Sequence, residues 1–468
     1  MGSDVTRLTA GASLTGAATA SNVSGISTSL AGVDSDVIGL GATSTTTIGG
    51  SATNGMTFQG VSNLTATATS VEDDASASVG GLLGANNSTV SGISGSDITV
   101  GKNAGTITGT ASSTLAATAT TSGSGAVGGD ATASVAQNAD GVLNSTISVG
   151  SAGNLTGSAT LVGNATASNT GTVGAGDAAS AYLTLDASGI SQISDNVSIG
   201  DTGNVAGRAF VSGGSIAQTT TGNAASTGNL DALGVDLKGG SGITIGSAGN
   251  VNGLAVIGTL NASGSLGNQV QFTASTVDGT ANATSSFDGI GISGAGSNAN
   301  TITAGPNDGD VSGQVIGGAN LVASNTGNTL TDTATASGTA NLYGISGVDI
   351  NGGMVGTNSV LGTSVGDFDA TATSVAGNSF ANSDVSSYGI FGSGTDTINV
   401  SGGINAIAQL SNTVTATSVS GNAVATATSD AVGISGYNIH IIGNGTLNAS
   451  ATSSSSSLAS SVAGSAHA

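Results

Sequence analysis

The sequence predicts an all-β fold: a β-solenoid, parallel β-helix-like, built from about nine degenerate repeats of roughly 49 residues. Three observations carry this expectation. Small residues dominate the composition, a glycine–aliphatic step recurs at a long interval, and short apolar and hydroxyl residues alternate between the steps.

Of 468 residues, 80 are glycine, 6% are charged and 2% are aromatic, with no cysteine and no tryptophan. A chain of this length would normally make two to four globular domains, each needing large apolar side chains for its core. Here the apolar content is mostly alanine and valine, which disfavours a multi-domain enzyme. Disordered chains are rich in proline, lysine and glutamate, whereas this one has a single proline, Pro306, and a single glutamate, Glu72. Small residues in this proportion suit a fold that stacks similar shallow layers.

The step occurs at Gly39-Leu40, Gly92-Ile93, Gly141-Val142, Gly189-Ile190, Gly234-Val235, Gly289-Ile290, Gly344-Ile345, Gly389-Ile390 and Gly433-Ile434, at intervals of 44 to 55 residues. A short alternating strand follows it, as in Ile98-Thr99-Val100, Ile147-Ser148-Val149, Ile243-Thr244-Ile245 and Ile398-Asn399-Val400. A turn comes next, with Asn154, Asn204 and Asn250 at the same place in three successive units. The rest of each unit alternates, as in Thr65-Ala66-Thr67-Ala68-Thr69 and Ala425-Thr426-Ala427-Thr428. Period-two alternation is the mark of a half-buried strand, and threonine and valine favour that state.

A propeller also repeats every 40–50 residues, but its blades carry aromatic and charged signatures that are missing here. In a solenoid, equivalent positions stack about 4.8 Å apart into ladders of like residues. One large coil per repeat is expected rather than two of about 24 residues, because the glycine step has no echo at half the period. The segments divide into 1–38, part of the solenoid or a subunit contact; 39–443, the repeats; and 444–468, a Ser/Ala-rich inter-subunit strand or flexible tail.

The net charge of −22 comes from four basic residues, Arg7, Lys102, Arg208 and Lys238, against 26 acidic ones. Binding to nucleic acid or to an anionic membrane surface needs many cations, so both partner classes are excluded. No stretch of 18 apolar residues suggests a membrane span. Histidine occurs only at His440, on a strand and facing solvent, and at His467. No catalytic, cofactor-binding or metal-ligating set can be assembled, so the expectation is a protein that is not an enzyme. The main competing reading, a polysaccharide lyase or hydrolase, needs a basic or paired-carboxylate cleft.

Aspartates recur just before the short strand (Asp97, Asp195, Asp349, Asp396) and near the glycine step (Asp140, Asp288, Asp430). Two readings stand: turn carboxylates that bond the backbone, or calcium held between coils. Gly392–Ile398 resembles the calcium-binding nonapeptide of RTX proteins, though it lacks the leading glycine pair and any tandem repeat. Phe287, Tyr343 and Tyr388 precede the step in successive units and predict a short aromatic stack. The Thr-x-Thr tracts resemble the arrays of ice-binding solenoids, a lesser alternative.

In composition and repeat style the chain resembles the large bacterial β-solenoid surface proteins, the filamentous-haemagglutinin-like adhesins and repeat-rich matrix exoproteins. That resemblance implies an extracellular or cell-surface location and a structural or adhesive role. The expected function is a subunit of an extracellular filament, sheath or matrix that polymerises head to tail with copies of itself. Cell-surface or matrix polysaccharide is the other expected partner. The alternative is the passenger or stalk region of an adhesin.

Overall fold

The structure, a computed structural model, describes residues 4–22, 29–34, 36–41, 44–80, 88–123, 129–171, 177–294, 300–305, 307, 309–352 and 358–468. Among them there is no helix, and so none long and apolar enough to cross a membrane. The chain winds as one parallel β-solenoid with three faces. Each coil contributes a long strand to a first face, a long strand to a second face and a strand of three or four residues to a short face. The coils begin at Leu8, Met56, Thr106, Asn154, Val205, Val251, Val311, Val360, Ile404 and Leu447, so one coil takes one full repeat. Coils 1 to 9 carry all three faces; coil 10 supplies Leu447–Ser461 and the short pairing Ala466–His467. Segment 444–468 thus adds a strand to the same sheet, parallel to Ile404–Ser418.

The short face behaves as the alternation predicts. Ile98, Ile147, Val197, Ile243, Ile302, Ile350 and Ile398 form one inward column, and Val100, Val149, Ile199 and Ile245 form the next. All of them are buried.

The interior is not one core but two. One cluster, rich in alanine with leucine and phenylalanine, lies between the two long faces; the other, rich in isoleucine and valine, fills the prism closed by the short face. Glycine explains the division. On the second long face Gly92, Gly141, Gly189, Gly234, Gly344 and Gly389 point inward, and Gly109, Gly157, Gly207, Gly253, Gly313 and Gly362 form an aligned column opposite them. A Cβ on Gly207 would run into the carbonyl oxygen of Gly234, and one on Gly234 would lie 2.4 Å from Leu254 N on the first long face. The two sheets therefore touch backbone to backbone along a waist that separates the lobes. Toward the corner between the long faces alanines face one another, as Ala117 and Ala119 with Ala131 and Ala133, and small side chains allow a thin sandwich there. Large side chains meet small ones where they occur: Phe272 occupies the space a side chain at Gly228 would need.

One step falls elsewhere than expected. Val235 pairs with Ile292, so the step of coil 6 is Gly291-Ile292 and not Gly289-Ile290. The repeated Gly-Ile dipeptide at 289 and 291 makes the two indistinguishable by pattern, and only the waist contact selects the second.

Corners are held by side chains that continue the ladder where the strands end. The Asn154 side-chain oxygen accepts from Asn204 N (3.0 Å), Asn204 from Asn250 N (3.0 Å), Asn250 from Asp310 N (2.9 Å) and Asp310 from Ser359 N (2.9 Å). Between the long faces Asp74 and Asp130 do the same for Asp130 N and Ala178 N. The corner before the short face needs a left-handed residue, supplied by Gly95, Gly347 and Gly436 at φ 57, 64 and 72°. Coil 4 uses Ser194 there, at φ 63°. An L side chain pays about 1–2 kcal/mol for that conformation. Ser194→Gly should therefore raise the unfolding free energy read from urea titration by about 0.5–1 kcal/mol, and with it the midpoint, once the looser unfolded chain is counted. A lower midpoint would show that the 3.3 Å bond from Ser194 Oγ to Gly239 O matters more than the backbone.

Candidate functional site

Where the sheets pinch together inside, the second long face folds inward outside. Ser188, Ser191 and Ser293 point away from both cores yet are 5, 6 and 2% exposed, which marks a longitudinal furrow opposite the waist. The furrow carries most of the unusual side chains of the molecule.

Through coils 3 to 6 it is acidic. Asp186, Asp231 and Asp288 stack in one column, with Asn138 below and Asn341, Ser386 and Asp430 above. Asp140 stands in the neighbouring column and Asp236 in the one beyond. Asp236 is 1% exposed, and the Lys238 ammonium sits 2.7 Å from its Oδ2. Burial, then the charges of Asp186 and Asp236, pushes Asp140 up to about 8. Burial, then Asp186 and Asp288, pushes Asp231 up to about 7. Burial also raises Asp186, against the pull of Lys238. Burial works against the charge on Lys238, but Asp236, Asp186 and Asp140 outweigh it, and its pKa is raised. Like charges stacked at ladder spacing repel; here burial and that repulsion favour the neutral form of Asp140, Asp186 and Asp231, and Lys238 opposes the repulsion.

Through coils 7 and 8 the furrow is aromatic. The rings of Tyr343 and Tyr388 stack at 5.3 Å with 15° between planes, and Phe391 leans on both at 5.3 and 5.0 Å. Tyr388 OH donates to Asp430 (2.8 Å). Ile290 and Val432 continue the column at either end, so the ring faces meet other coils and only edges face outward. Phe287 does not join them. It points inward and contacts Phe272 and Phe368 at 5.9 Å each, because it lies four residues before the true step at Gly291 while Tyr343 lies one before its own.

The other aspartates are dispersed. Asp97 and Asp349 occupy one column and Asp195 and Asp396 its neighbour, but threonine, serine, valine or tyrosine separates them in every adjacent coil. Asp349 accepts from Thr397 N (2.8 Å), and Asp396 accepts from Ser393 N (2.6 Å) in a local turn within Gly392–Ile398. Those are the backbone-bonding roles of turn carboxylates. Among the described residues no group of three or more His, Asp or Glu side chains could hold a metal ion. His440 lies exposed on its short-face strand. The threonine column expected of an ice-binding face runs through Thr19, Thr67, Thr118 and Thr166 and is then broken by Ile216.

A second irregularity lies on the first long face. In coil 6 the strand stops at Ile257 and resumes at Val270, and a small antiparallel hairpin, Thr259–Leu260 with Leu266–Asn268, stands out between them. Beside it opens a cleft of about 420 Å³ that reaches down to coil 4. Sequence reasoning missed Asp186, Asp231, Asp236 and this hairpin. The surplus of residues between steps in coil 6 was the available signal for the hairpin, and Asp-x-x-x-x-Asp across Asp231 and Asp236 was the one for the furrow.

Comparison of the chain with protein-family profiles, with curated proteins and with solved structures finds no match.

Proposed function

We propose that the chain is a non-catalytic structural subunit of an extracellular or cell-surface filament, sheath or matrix, extended head to tail by copies of itself. The observation that supports this reading is how readily the coils accept one another. Seven of the nine successive junctions hold residue-for-residue register along the first long face, and the two that involve coil 6 hold it on either side of the hairpin, although neighbouring coils differ widely in sequence. Only the waist glycines, the inward small residues and the corner carboxamides are shared. A coil of this kind is a general acceptor for another, and strands Leu8–Asn22 and Leu447–Ser461 each pair on one side only among the described residues. Strand addition between two such edges is heterologous and does not close, so it propagates. A charge of −22 opposes lateral clumping and leaves axial growth free. The resemblance to bacterial surface solenoids agrees with this role.

Ten coils stacked at about 4.8 Å make a rod about 50 Å long. Electron microscopy and sedimentation across a concentration series should show fibres many times that length. Rods of one chain's length at every concentration would overturn self-assembly and leave the stalk of a longer adhesin as the better description.

A further inference from the structure

We propose that the cleft beside the coil 6 hairpin is a binding site for a neutral glycan, with room for about one or two hexose rings. The hairpin is a built feature rather than a loose loop. It leans away from the cleft onto coil 7, where Gly318 makes room for it: a Cβ there would lie 2.6 Å from Leu266 Cδ2 and 3.0 Å from Gln269 Cγ. Gln269 Nε2 then reaches coil 8 and donates to Asp367 O and Asp369 Oδ2, both at 3.1 Å. Thr259 Oγ1 accepts from Asn268 N (3.0 Å) and closes the hairpin base. The wall is therefore fixed before any ligand arrives, which spares the ordering cost of binding.

What lines the cleft selects the ligand. Asn164, Asn268, Gln271 and Thr166 line it, together with Gly213 and Gly214, which bring no side chain. Ser212 and Gly213 have no residue opposite them in coil 6, since pairing skips from Val211–Ile257 to Gly214–Gln271. Exposed Ile216 adds an apolar patch. No charged side chain lines the space. Carboxamides offer a donor and an acceptor on one planar group, which matches vicinal hydroxyls, and an aliphatic side chain matches the C–H face of a sugar ring. An anion would find no cation there and would meet the field of a chain of charge −22. A metal cation would find no carboxylate on the lining. A neutral polyol ring satisfies both conditions. Insertions in repeat proteins commonly carry their binding function, and this hairpin interrupts the first long face at the point where the cleft opens.

The inference does not depend on polymerisation, because the cleft lies within coils 4 to 6 of one chain. Saturation-transfer NMR and titration would use cellotriose, mannotriose and triacetylchitotriose as probes, with trigalacturonate as the anionic comparison. At least one neutral trisaccharide should bind with a millimolar or tighter Kd. Asn164→Ala and Gln271→Ala, both at exposed positions, should each weaken it about 3- to 10-fold, as the loss of one hydrogen bond implies. Their melting curves should match the parent protein. No saturable binding by any of the three, binding indifferent to both substitutions, or tighter binding of trigalacturonate would each overturn the assignment.

Discussion

Gly207→Val is expected to cost about 3 kcal/mol or more of stability. Gly207 faces Gly234 across the waist, where the new Cβ would enter the carbonyl of Gly234 and lie 2.7 Å from Val235 Cγ2. Overpacked cores ordinarily relax by turning side chains. Here the obstacle is backbone on both sides, so relief requires the sheets to separate, and separation opens both lobes at once. The φ of Gly207 is not in the left-handed region, so the effect is one of space alone. Stability in a solenoid is nearly a sum of local and nearest-neighbour contributions. The damage should therefore concentrate in coils 4 to 6, with proteolysis cutting there first while the flanking coils stay protected. Gly11→Val is the matched comparison: its Cβ would come no nearer than 3.7 Å to Gln59 O, and the unfolding free energy from urea titration should change by less than about 0.5 kcal/mol. Equal effects at the two sites would dispose of the waist as the organising contact.

The waist also shows how far the sequence could be read. Period-two alternation and the spacing of Gly141-Val142, Gly189-Ile190 and Gly234-Val235 were enough to establish strands, coil length and the inward columns of the short face. Those properties are local, repeated and insensitive to small errors in alignment. The partner column, Gly109 to Gly362, sits two residues after an aliphatic at the start of each long strand, and nothing in one strand says what it will face. Phe287 was legible by parity: it stands an even number of residues before the step, whether at Gly289 or Gly291, and Tyr343 and Tyr388 stand one before theirs, so alternation puts Phe287 on the opposite face. The candidate sites were less legible still. Asp186, Asp231 and Asp288 look like scattered surface carboxylates until register stacks them, and the cleft exists only because the hairpin leaves a strand edge uncovered. Contacts between coils are set by insertions of a few residues, and a one-residue slip turns every outward side chain inward.

Lys238→Met should also be damaging, and its cost should depend on pH. Lys238 sits against Asp236, a carboxylate 1% exposed whose Oδ1 has no other hydrogen bond. Removing one partner of a buried pair leaves an uncompensated charge, and since Lys238 is itself half exposed the cost should be about 1–3 kcal/mol near pH 8 rather than the full buried-pair value. The parent protein should itself weaken as pH rises. Asp140 and Asp231 have folded pKa values raised to about 8 and about 7 from 3.8, so the folded state holds protons that the unfolded chain has released. Their contribution to stability is fully present below pH 3.8 and is lost as pH rises through 7 and 8. The melting temperature should thus fall between pH 5.5 and pH 9, a range that avoids the pI of about 4.1. In Lys238→Met the fall should be steeper, because the lysine charge no longer offsets Asp186 and Asp140 as they ionise. At pH 5.5 the two proteins should lie closer together. Adding Asp236→Asn to Lys238→Met removes the buried charge while keeping its shape, and should recover most of the loss at high pH. A deficit that stays constant across pH, or a double variant no better than the single, would mean that Lys238 acts by packing its stem. The furrow's carboxylates would then be held by the ladder alone.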